Sequence, residues 1–374
     1  MNKKKIIYID EDARYGGPQH RMILTAKSLT SRYDFLFLIS NDDNKIFTNK
    51  LKNDFLEYKE IKITRLSKDF KTLIKYILFF IPELISLILL LKEYKPDVVQ
   101  VNSTPHFKAL IASSLLNIKT IWVLEDCNLP KPIIIIFKTL YYFFKPKIIV
   151  TSNSVRDYYL KSFRFNKDVR KIYAPVSPII FNLNKFKKKK FDKNNVKILM
   201  VANLTKVKGI ETFLEIVKKS PKNVFFTLCG GFPKTQKEYA YNLINEFKKF
   251  NKKKLNYIGH QNNIPKIISK CDFIICTSLS EAGPMTSLEG ICMKKPLITN
   301  NVGVIKDLLT NKVSVFSIKK NNPNLFLKSI DYLVSQPNQR KKMINFAYNI
   351  VINKLNIKNI SKEYDNFYKY LINS

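Results

Sequence analysis

The sequence is poor in the residue types that bind transition metals or form covalent cross-links. Among 374 residues there are three histidines, His20, His106 and His260, and five cysteines. No two cysteines have the CxxC spacing of a zinc or redox site, and the histidines lie far apart in sequence. We therefore expect no metal cofactor at these residues. The odd number of cysteines without such a motif favours a reducing, cytoplasmic compartment.

Long uninterrupted apolar runs are also missing. The first apolar run, at Ile6–Ile9, is short and meets the acidic string Asp10–Asp12. This pattern predicts a first strand rather than a signal peptide. The most apolar stretch, Tyr76–Leu91, has Pro82 and Glu83 near its middle. A proline and a charge in that position argue against a membrane-spanning helix.

Acidic residues are scarce relative to basic ones. Asp and Glu number 29 against 65 Lys and Arg, which gives a formal net charge of +36. Such an excess predicts anionic partners, namely phosphorylated ligands, an anionic membrane surface or nucleic acid. No recognisable nucleic-acid-reading motif accompanies the charge. We therefore expect no nucleic acid partner, and a basic nucleic-acid-binding protein stays as an alternative.

Two segments stand out for their apolar character. The first is Tyr76–Leu91, and the second, Lys131–Lys147, joins Ile133–Phe137 and Tyr141–Phe144 to lysines inside it and at both ends. An aromatic helix of this length with flanking lysines suits a membrane interface. The alternative is two buried core helices. Together with the charge, the pattern predicts a cytoplasmic protein that lies peripherally on the inner face of a membrane.

Short apolar runs alternate with longer amphipathic segments along the whole chain, which predicts parallel sheets covered by helices. The expected strands are Ile6–Ile9, Phe35–Ile39, Val98–Val101, Thr120–Leu124 and Ile148–Val150, then Lys197–Val201, Val224–Cys229, Leu255–Ile258, Phe273–Cys276 and Leu297–Thr299. The alternation breaks at Ser177–Asn195, which contains Lys187–Lys190. We read this break as an exposed linker or surface loop.

The expected fold class is therefore α/β, with two Rossmann-like, doubly wound parallel-sheet domains facing a cleft. The boundaries that we expect are 1–178 for the first domain and 196–355 for the second. In the remaining segment, 356–374, apolar residues recur on one helix face. That face predicts a terminal helix that packs back onto the first domain.

The stretch CDFIICTSLSEAGPMTSLEG carries the most chemical information. A strand, Phe273–Cys276, leads to a loop with Glu281, and a helix is expected to begin near Pro284 with Glu289 one turn inside it. A helix N-terminus at the carboxyl end of a parallel strand is an anion site. The two carboxylates can bind hydroxyl groups on either side of that anion.

Small and polar residues support this interpretation. Gly283 permits close approach of the backbone to a ligand, and Thr286 and Ser287 add hydroxyl donors. A sugar on Glu281, a ribose on Glu289 and a diphosphate between them describe a nucleotide sugar. The alternative is that Glu281 caps the helix and Glu289 lies on the surface.

Two further turns precede this stretch. The strand Ile198–Val201 leads to Lys206 and Lys208, and Gly209 then opens a helix. Lysines at such a turn suit a diphosphate, although solvated lysines are the ordinary expectation in so basic a chain. A later strand ends in Gly230–Gly231, where glycines again allow close approach of the backbone.

In their order and spacing, the KG turn, the GG turn, the YIGH strand end and the E-x7-E element resemble the retaining glycosyltransferases of family four, which have the GT-B fold. The resemblance implies that Glu281 contacts the donor sugar, Glu289 the ribose and Lys208 the diphosphate. It also implies donor contacts from Gly230 and from the segment Gly283, Pro284, Met285 and Thr286. Asn203 stands where the family usually has an arginine, and Lys206 is a candidate substitute for it.

The first domain resembles the family less closely. Gly16–Gly17 before Pro18 resembles the glycine-rich loop that approaches the diphosphate, and Ser152 and Asn153 match a common family pattern. Glu125 and Asp126 stand where a histidine is often found, and Asn102 also stands in place of a histidine. These three residues and His106, in a loop just after a strand, are the candidate acceptor contacts.

The resemblance implies transfer of a hexose-type sugar with retention of configuration, from a UDP-, GDP- or other nucleotide-sugar donor, and without a metal. The expected acceptor is a saccharide or a lipid-linked molecule in bacterial surface polysaccharide assembly, such as capsule, lipopolysaccharide or exopolysaccharide. A donor-binding scaffold protein without transfer activity, and an epimerase or phosphorylase of the same fold, are the alternatives. The string Asp10–Asp12 has the DxD pattern of metal-dependent transferases, and we interpret it as accidental surface acids.

Overall fold

The computed structural model describes residues 3–12, 14–41, 45–67, 69–161, 167–187, 190–319 and 321–374. By its internal contacts the chain forms two compact units. The first comprises residues 1–175 and 357–374, and the second comprises residues 176–356. Residues 179–195, which the sequence analysis assigns to neither domain, therefore belong to the second unit by their contacts.

The first unit is built on a parallel sheet of seven strands in the order β3-β2-β1-β4-β5-β6-β7. The strands are β1 (Lys4–Asp10), β2 (Tyr33–Ser40), β3 (Glu57–Ile61), β4 (Val98–Asn102), β5 (Lys119–Leu124), β6 (Lys147–Val150) and β7 (Val169–Lys171). The helices are α1 (Gly17–Leu29), α2 (Lys45–Asn53), α3 (Phe70–Leu78), α4 (Phe80–Tyr94), α5 (Phe107–Leu115), α6 (Lys131–Phe144) and α7 (Asn153–Leu160). The central strands read as continuous apolar runs because helices cover both faces of a doubly wound sheet.

The second unit repeats this plan with six parallel strands in the order β10-β9-β8-β11-β12-β13. The strands are β8 (Val196–Val201), β9 (Val224–Cys229), β10 (Leu255–Tyr257), β11 (Phe273–Cys276), β12 (Leu297–Asn300) and β13 (Phe316–Ile318). The helices are α8 (Ile210–Lys219), α9 (Lys237–Lys248), α10 (Ile264–Ser269), α11 (Met285–Cys292), α12 (Gly303–Leu308), α13 (Pro323–Ser335) and α14 (Pro337–Leu355). The expected fold of two Rossmann-like parallel-sheet domains is confirmed.

Each sheet reverses its strand order beside its first strand. In the first unit β4 pairs with β1 on the side opposite β2, and in the second unit β11 pairs with β8 on the side opposite β9. Connections leave these neighbouring strands in opposite directions, so a crevice opens at their carboxyl ends. The loops that follow β8 and β11 carry Lys208 and Glu281, and the second leads into α11, which holds Glu289.

The terminal helix α15 (Ile357–Asn373) packs against α1 of the first unit. Its buried face includes Ile360, Phe367 and Leu371, and its tyrosines extend into the sheet. The Tyr368 hydroxyl is 2.7 Å from the Tyr8 hydroxyl and donates to the Gln100 side chain at 2.8 Å. The last helix therefore completes the core of the first unit.

Among the described residues, no single helix is long and apolar enough to cross a membrane. Helices α3 and α4 pass that test only as a pair, and they bend by 58° at the break between them.

Truncation of Phe367 should destabilise the first unit, because this side chain belongs to the inward face of α15 and is fully buried. Phe367→Ala removes a buried ring and leaves a cavity, so we expect a loss of about 3–5 kcal/mol in the free energy of unfolding. Thermal and urea unfolding measure the change. Phe346→Ala, at a position with 53% exposure, is the control, and an equal effect of both substitutions would contradict the packing role of α15.

Candidate functional site

Lys208 and Glu281 belong to loops that follow two paired strands of the second unit. Lys208 ends a short 3-10 turn, Lys206–Lys208, after β8, and Glu281 lies in the loop after β11. Two bonds join these loops: the Leu279 amide donates to the Val207 carbonyl at 2.8 Å, and the Thr277 hydroxyl donates to the Lys208 carbonyl at 3.1 Å. Residues 73 positions apart in sequence are thereby held side by side.

Gly209 makes the close approach of the two loops possible. Its φ is +61°, in the left-handed region, and a Cβ atom there would lie 2.2 Å from the Thr277 carbonyl oxygen. Only glycine satisfies both the conformation and the contact without strain. The KG turn is therefore required by packing against the loop after β11.

The Lys208 ammonium forms an ion pair with the Glu281 carboxylate. The same carboxylate oxygen accepts a hydrogen bond from the Ser278 hydroxyl at 2.9 Å. Burial lowers the pKa of Lys208, but the adjacent Glu281 outweighs it, so the pKa lies above its ordinary value. A fixed positive charge and a fixed carboxylate thus meet at the strand ends, where they can bind a phosphate and a hydroxyl group respectively.

The N-terminus of α11 lies at the end of the Glu281 loop and has no side-chain cap. The first amides that bond inside the helix are those of Ser287 and Leu288, which both donate to the Pro284 carbonyl. Within the part of the chain that the structure describes, no group accepts from the amides of Gly283, Met285 or Thr286. These amides and the positive end of the helix dipole can bind an anion.

The side chains beside these amides have different roles. The Thr286 hydroxyl donates to the Val201 carbonyl at 3.3 Å, and Ser287 is buried. A Cβ atom on Gly283 would meet only Val304 Cγ2, at an ordinary 3.5 Å. Packing alone therefore does not require a glycine at position 283, which leaves room for a ligand beside the backbone.

Glu289 lies one turn inside α11 and is buried. Burial raises the pKa of its carboxyl group to about 8. In the protein without ligand, this group is therefore largely protonated at neutral pH and can both donate and accept a hydrogen bond. The structure does not support the alternative that Glu289 is a surface residue.

The GG turn after β9 packs directly on the loop after β8. A Cβ atom on Gly230 would lie 1.9 Å from the Ala202 carbonyl oxygen, and the Gly230 amide donates to the Gly259 carbonyl at 2.9 Å. Asn203, the next residue in the β8 loop, is exposed, as is Lys206. The Lys206 backbone amide donates to the Gln236 side chain at 3.1 Å.

Sequence reasoning missed two residues that shape the Glu281 loop. The Asn300 side chain, at the end of β12, donates to the Thr277 and Ser278 carbonyls at 2.9 and 3.0 Å. Gly303 has a φ of +47°, and a Cβ atom there would lie 2.2 Å from the Ala282 carbonyl oxygen. No local sequence signal singles them out, because both reach this loop only through the pairing of β12 with β11.

In the first unit the predicted loop residues lie at the matching edge of the sheet. Gly16 and Gly17 are exposed at the start of α1, which has no side-chain cap. A Cβ atom on Gly16 would meet nothing closer than 3.5 Å. The loop is thus accessible, and packing within this unit does not dictate its glycine at position 16.

Two of the four candidate acceptor residues belong to a buried network around Arg21. Its guanidinium donates to the Asn102 side chain at 3.1 Å and forms an ion pair with Glu125 at 3.1 Å. Burial raises the pKa of Glu125, and Arg21 only partly offsets this effect. Asn102 and Glu125 are therefore already engaged within the protein.

The other two candidates, His106 and Asp126, are also largely enclosed. His106 Nδ1 accepts from the Glu11 amide at 3.5 Å, and burial lowers the pKa of its ring to about 3, so the ring is neutral. The Asp126 carboxylate accepts a hydrogen bond from Tyr159, and burial raises its pKa to about 6. The four candidates share one edge of the sheet, but contact with an acceptor stays a prediction for each of them.

The expectation that Asp10–Asp12 are surface acids is wrong for the first two residues. Asp10 and Glu11 are buried. Asp10 accepts from Gln19 at 2.7 Å, and Glu11 accepts from the Ala109 amide at 3.2 Å and lies 3.8 Å from the Lys108 ammonium. The buried lysine offsets a charge that sequence inspection alone assigns to solvent.

A cavity of about 940 Å³ in the second unit lies apart from these loops. It is bounded by the face of β8 and β9 opposite the main core and by α10. None of the predicted site residues lines it. The size of a cavity therefore does not identify the candidate site, whose residues are grouped by their ion pair and their unpaired amides.

Comparison with known families divides the chain in the same two parts. The family described as "Glycosyl transferases group 1" matches residues 182–350, and the family described as "Glycosyltransferase Family 4" matches residues 15–178. The two matches together extend over most of both units. The resemblance inferred from the KG, GG and E-x7-E elements is therefore confirmed at the level of the family.

Among curated proteins, the chain is similar to the O-antigen biosynthesis glycosyltransferase WclY of Escherichia coli, with 24% identity over 88% of each chain. It is also 23% identical to an uncharacterized glycosyltransferase of Methanocaldococcus jannaschii, over 60% of each chain. The match thus spans less than two thirds of the length of that archaeal relative.

Solved structures share the fold over nearly the full length of the chain. The HepE protein of Anabaena, crystallised with UDP and glucose, has a TM-score of 0.83 at 16% identity and covers 97% of this chain and 98% of its own. A glycosyltransferase of Rickettsia africae has a TM-score of 0.80 at 20% identity, with coverage of 100% and 99%. These likenesses assign the GT-B fold.

The raised pKa of Glu289 gives a testable dependence of stability on pH. An unfolded glutamate titrates near 4.5 and the folded one near 8, so the folded state holds this proton longer as the pH rises. Glu289 therefore lowers stability progressively between about pH 4.5 and 8. We expect Glu289→Gln to raise the melting temperature relative to the wild type more at pH 9 than at pH 5.

Differential scanning calorimetry at several pH values measures this difference. Glu215→Gln, at an exposed position in α8, is the matched control, and the Glu289→Gln difference should depend on pH more strongly than the control difference. A Glu289→Gln difference that is constant from pH 5 to pH 9 would show that Glu289 does not titrate in this range.

Proposed function

The chain belongs to the group 1 and family 4 glycosyltransferases, and from this premise we propose that it transfers a hexose-type sugar from a nucleotide sugar with retention of configuration. The second domain binds the donor, and the first binds a saccharide or lipid-linked acceptor. The observation that carries the proposal is the Lys208–Glu281 ion pair beside the unpaired amides of α11. It combines one cation and several N–H donors, suited to a diphosphate, with a carboxylate suited to sugar hydroxyls.

In the proposed complex each donor residue has one role. Lys208 contacts the diphosphate, together with the amides of Gly283, Met285 and Thr286. Glu281 contacts the sugar, and the buried carboxyl group of Glu289 contacts the ribose. Pro284 fixes the start of the helix, Gly230 and Asn203 border the nucleotide, and Lys206 supplies a second cation. Gly16 and Gly17 are the further residues that we propose as donor contacts.

The proposed chemistry breaks the bond between the anomeric carbon and the leaving phosphate oxygen, through a transition state that resembles an oxocarbenium ion. The acceptor hydroxyl forms the new bond on the same face of the sugar, and its proton goes to a leaving phosphate oxygen. Negative charge grows on that phosphate as the bond breaks. In this proposal Lys208 exchanges its contact with Glu281 for the phosphate, and the bonds between the two loops limit the reorganisation of the backbone around it. The proposal requires no metal cofactor.

Two similar proteins narrow the choice of ligands to test. HepE was crystallised with UDP, with UDP-glucose and with UDP and glucose, which favours a UDP-sugar among UDP, GDP and other nucleotide donors. WclY acts in O-antigen biosynthesis, which favours surface polysaccharide assembly, such as lipopolysaccharide or capsule, as the setting. For a lipid-linked acceptor we propose a cytoplasmic enzyme that is peripheral on the inner face of the membrane.

A donor-binding protein of the same fold without transfer activity is the second candidate. The observation that favours it is Asn203, which is exposed in place of the arginine usual in the family. An amide at this point contributes no charge to the stabilisation of the leaving group. The two candidates agree on donor binding and differ in turnover.

Substitution of Lys208 should separate them. A charge-assisted contact to phosphate contributes about 1.5–3 kcal/mol, so Lys208→Ala should lower kcat/KM at least about tenfold. Lys219→Ala, at an exposed position in α8, is the control. If the wild type transfers sugar and Lys208→Ala transfers it equally well, Lys208 has no part in the mechanism. If the wild type binds the donor but transfers no sugar, the second candidate is favoured.

The donor itself is best identified by a thermal-shift panel of UDP-, GDP- and ADP-sugars with and without magnesium. A ligand that binds only the folded state adds to the free energy of unfolding, by about 2.7 kcal/mol when its concentration is a hundred times its Kd. The melting temperature rises as a result. We expect UDP-sugars to give the largest shift, and magnesium to leave it unchanged. The anomeric configuration of a labelled product, read by NMR, then tests retention, and an inverted product would contradict it.

A further inference from the structure

Exposed apolar side chains are concentrated in one part of the first unit. More than half of the large apolar side chains that are exposed among the described residues lie between positions 70 and 144. They belong mainly to α3, α4 and α6. Single exposed apolar residues are ordinary, whereas a concentration of this kind marks an interaction surface.

Helix α6 shows the pattern most clearly. Phe137 is its one buried residue. Ile135, Ile136, Tyr142 and Phe143 follow the spacing i, i+1, i+7 and i+8, so they share one face of the helix. Tyr142 and Phe143 are 75% and 71% exposed. The apolar face of α6 is therefore turned away from the core.

Helices α3 and α4 present a similar face. In α3, Phe70, Ile74 and Ile77 are exposed, and Tyr76 is the one buried residue. In α4 the exposed residues Ile81, Ile85 and Leu89 recur every four positions, while its three buried leucines lie on the other side. Each of these helices buries apolar residues on one side and exposes a second set on the other.

These helices form one continuous layer. Helix α5 contacts both α4 and α6, and α3 contacts α4. The strands β4, β5 and β6 are consecutive and parallel, so their right-handed connections put α5 and α6 on the same side of the sheet. We call the exposed apolar residues of α3, α4 and α6 the outer face.

Positive charge borders the outer face. The helices α3, α4 and α6 carry the exposed lysines Lys71, Lys75, Lys92, Lys131 and Lys138. Of the two acidic residues in these helices, Glu83 is directed inward to the buried Lys108 and to Thr64. Only Glu93 is an exposed carboxylate within them.

We propose that the outer face docks onto the surface of a bilayer that contains anionic lipids, with its helices lying in the interface. Apolar and aromatic side chains enter the boundary between headgroups and acyl chains, and the lysines contact anionic headgroups. The 14 residues of α6 span about 21 Å, which is shorter than the hydrocarbon core of a bilayer. A helix of this length therefore lies along the membrane surface.

This inference rests on the proposed function for its biological setting and adds a defined orientation. Helix α6 begins at Lys131, five residues after Asp126 at the edge of the sheet where the candidate acceptor residues lie. The outer face thus starts at the edge where the acceptor would bind. The headgroup of a lipid-linked acceptor could reach that edge while its lipid chain stays in the bilayer.

Vesicle co-sedimentation of the full chain tests the docking without any substrate. The probes are phosphatidylcholine vesicles with and without about one third phosphatidylglycerol. We expect the wild type to bind the anionic vesicles, and the binding to weaken with salt. The variant Ile135→Ser/Tyr142→Ser/Phe143→Ser should bind at least about tenfold more weakly.

The matched control variant replaces exposed residues of the same kinds in the second unit: Leu325→Ser/Tyr241→Ser/Phe346→Ser. It should bind vesicles like the wild type. A third variant, Lys75→Gln/Lys131→Gln/Lys138→Gln, should bind anionic vesicles at least about tenfold more weakly than the wild type. Its circular dichroism spectrum and melting temperature should stay unchanged.

Three outcomes would overturn the docking: no vesicle binding by the wild type, equal binding by the outer-face and control variants, or a dimer that the outer-face variant converts to a monomer with vesicle binding unchanged. The last result would assign the face to a second copy of the chain. Donor-induced thermal shifts in the same variants report on the second unit. A protein that binds vesicles but no nucleotide sugar would therefore contradict the proposed function and leave the docking intact.

Discussion

The ion pair between Lys208 and Glu281 is the contact on which the candidate site depends. Two charged groups at strand ends would ordinarily be solvated and mobile, but here the backbone around each is fixed by bonds between the loops. Gly209 allows those loops to touch, and Asn300 holds the second loop from the next strand. Without a donor, each charge balances the other. In the proposed donor complex a diphosphate and a sugar replace these contacts, and loops held in advance by such bonds would meet the condition for electrostatic preorganisation.

The two units use polar residues in opposite ways. In the second unit the Lys208 ammonium pairs with Glu281, but the amides of Gly283, Met285 and Thr286 have no acceptor among the described residues. In the first unit the polar side chains at the strand ends satisfy one another, as Arg21 does with Asn102 and Glu125. Buried charges are stable only when paired and hydrogen-bonded. The first unit thus obtains a rigid polar interior, and its apolar residues on α3, α4 and α6 are what it presents outward.

Much of the fold could be read from the sequence, because a buried parallel strand needs a short continuous apolar run and each crossover needs a helix. The donor elements could be read too, since a glycine in a KG turn and two spaced acids depend on local backbone geometry. The burial of Asp10 and Glu11 could not be predicted, because the lysine beside Glu11, Lys108, is almost a hundred residues away. Nor could the role of Asn300, whose bonds depend on the pairing of β11 with β12.

The sequence alone determined the α/β class, the two Rossmann-like domains and the residues of the Glu281–Glu289 element, because each of these follows from local periodicity or motif spacing. Only the tertiary structure decided which polar groups are free and which are engaged. His106 and Glu125 occupy the strand ends that the sequence assigned to them, yet neighbours from distant segments enclose both. The exposure of α6 was decided in the same way, because an apolar helix reveals its outward face only when the surface that it covers is known.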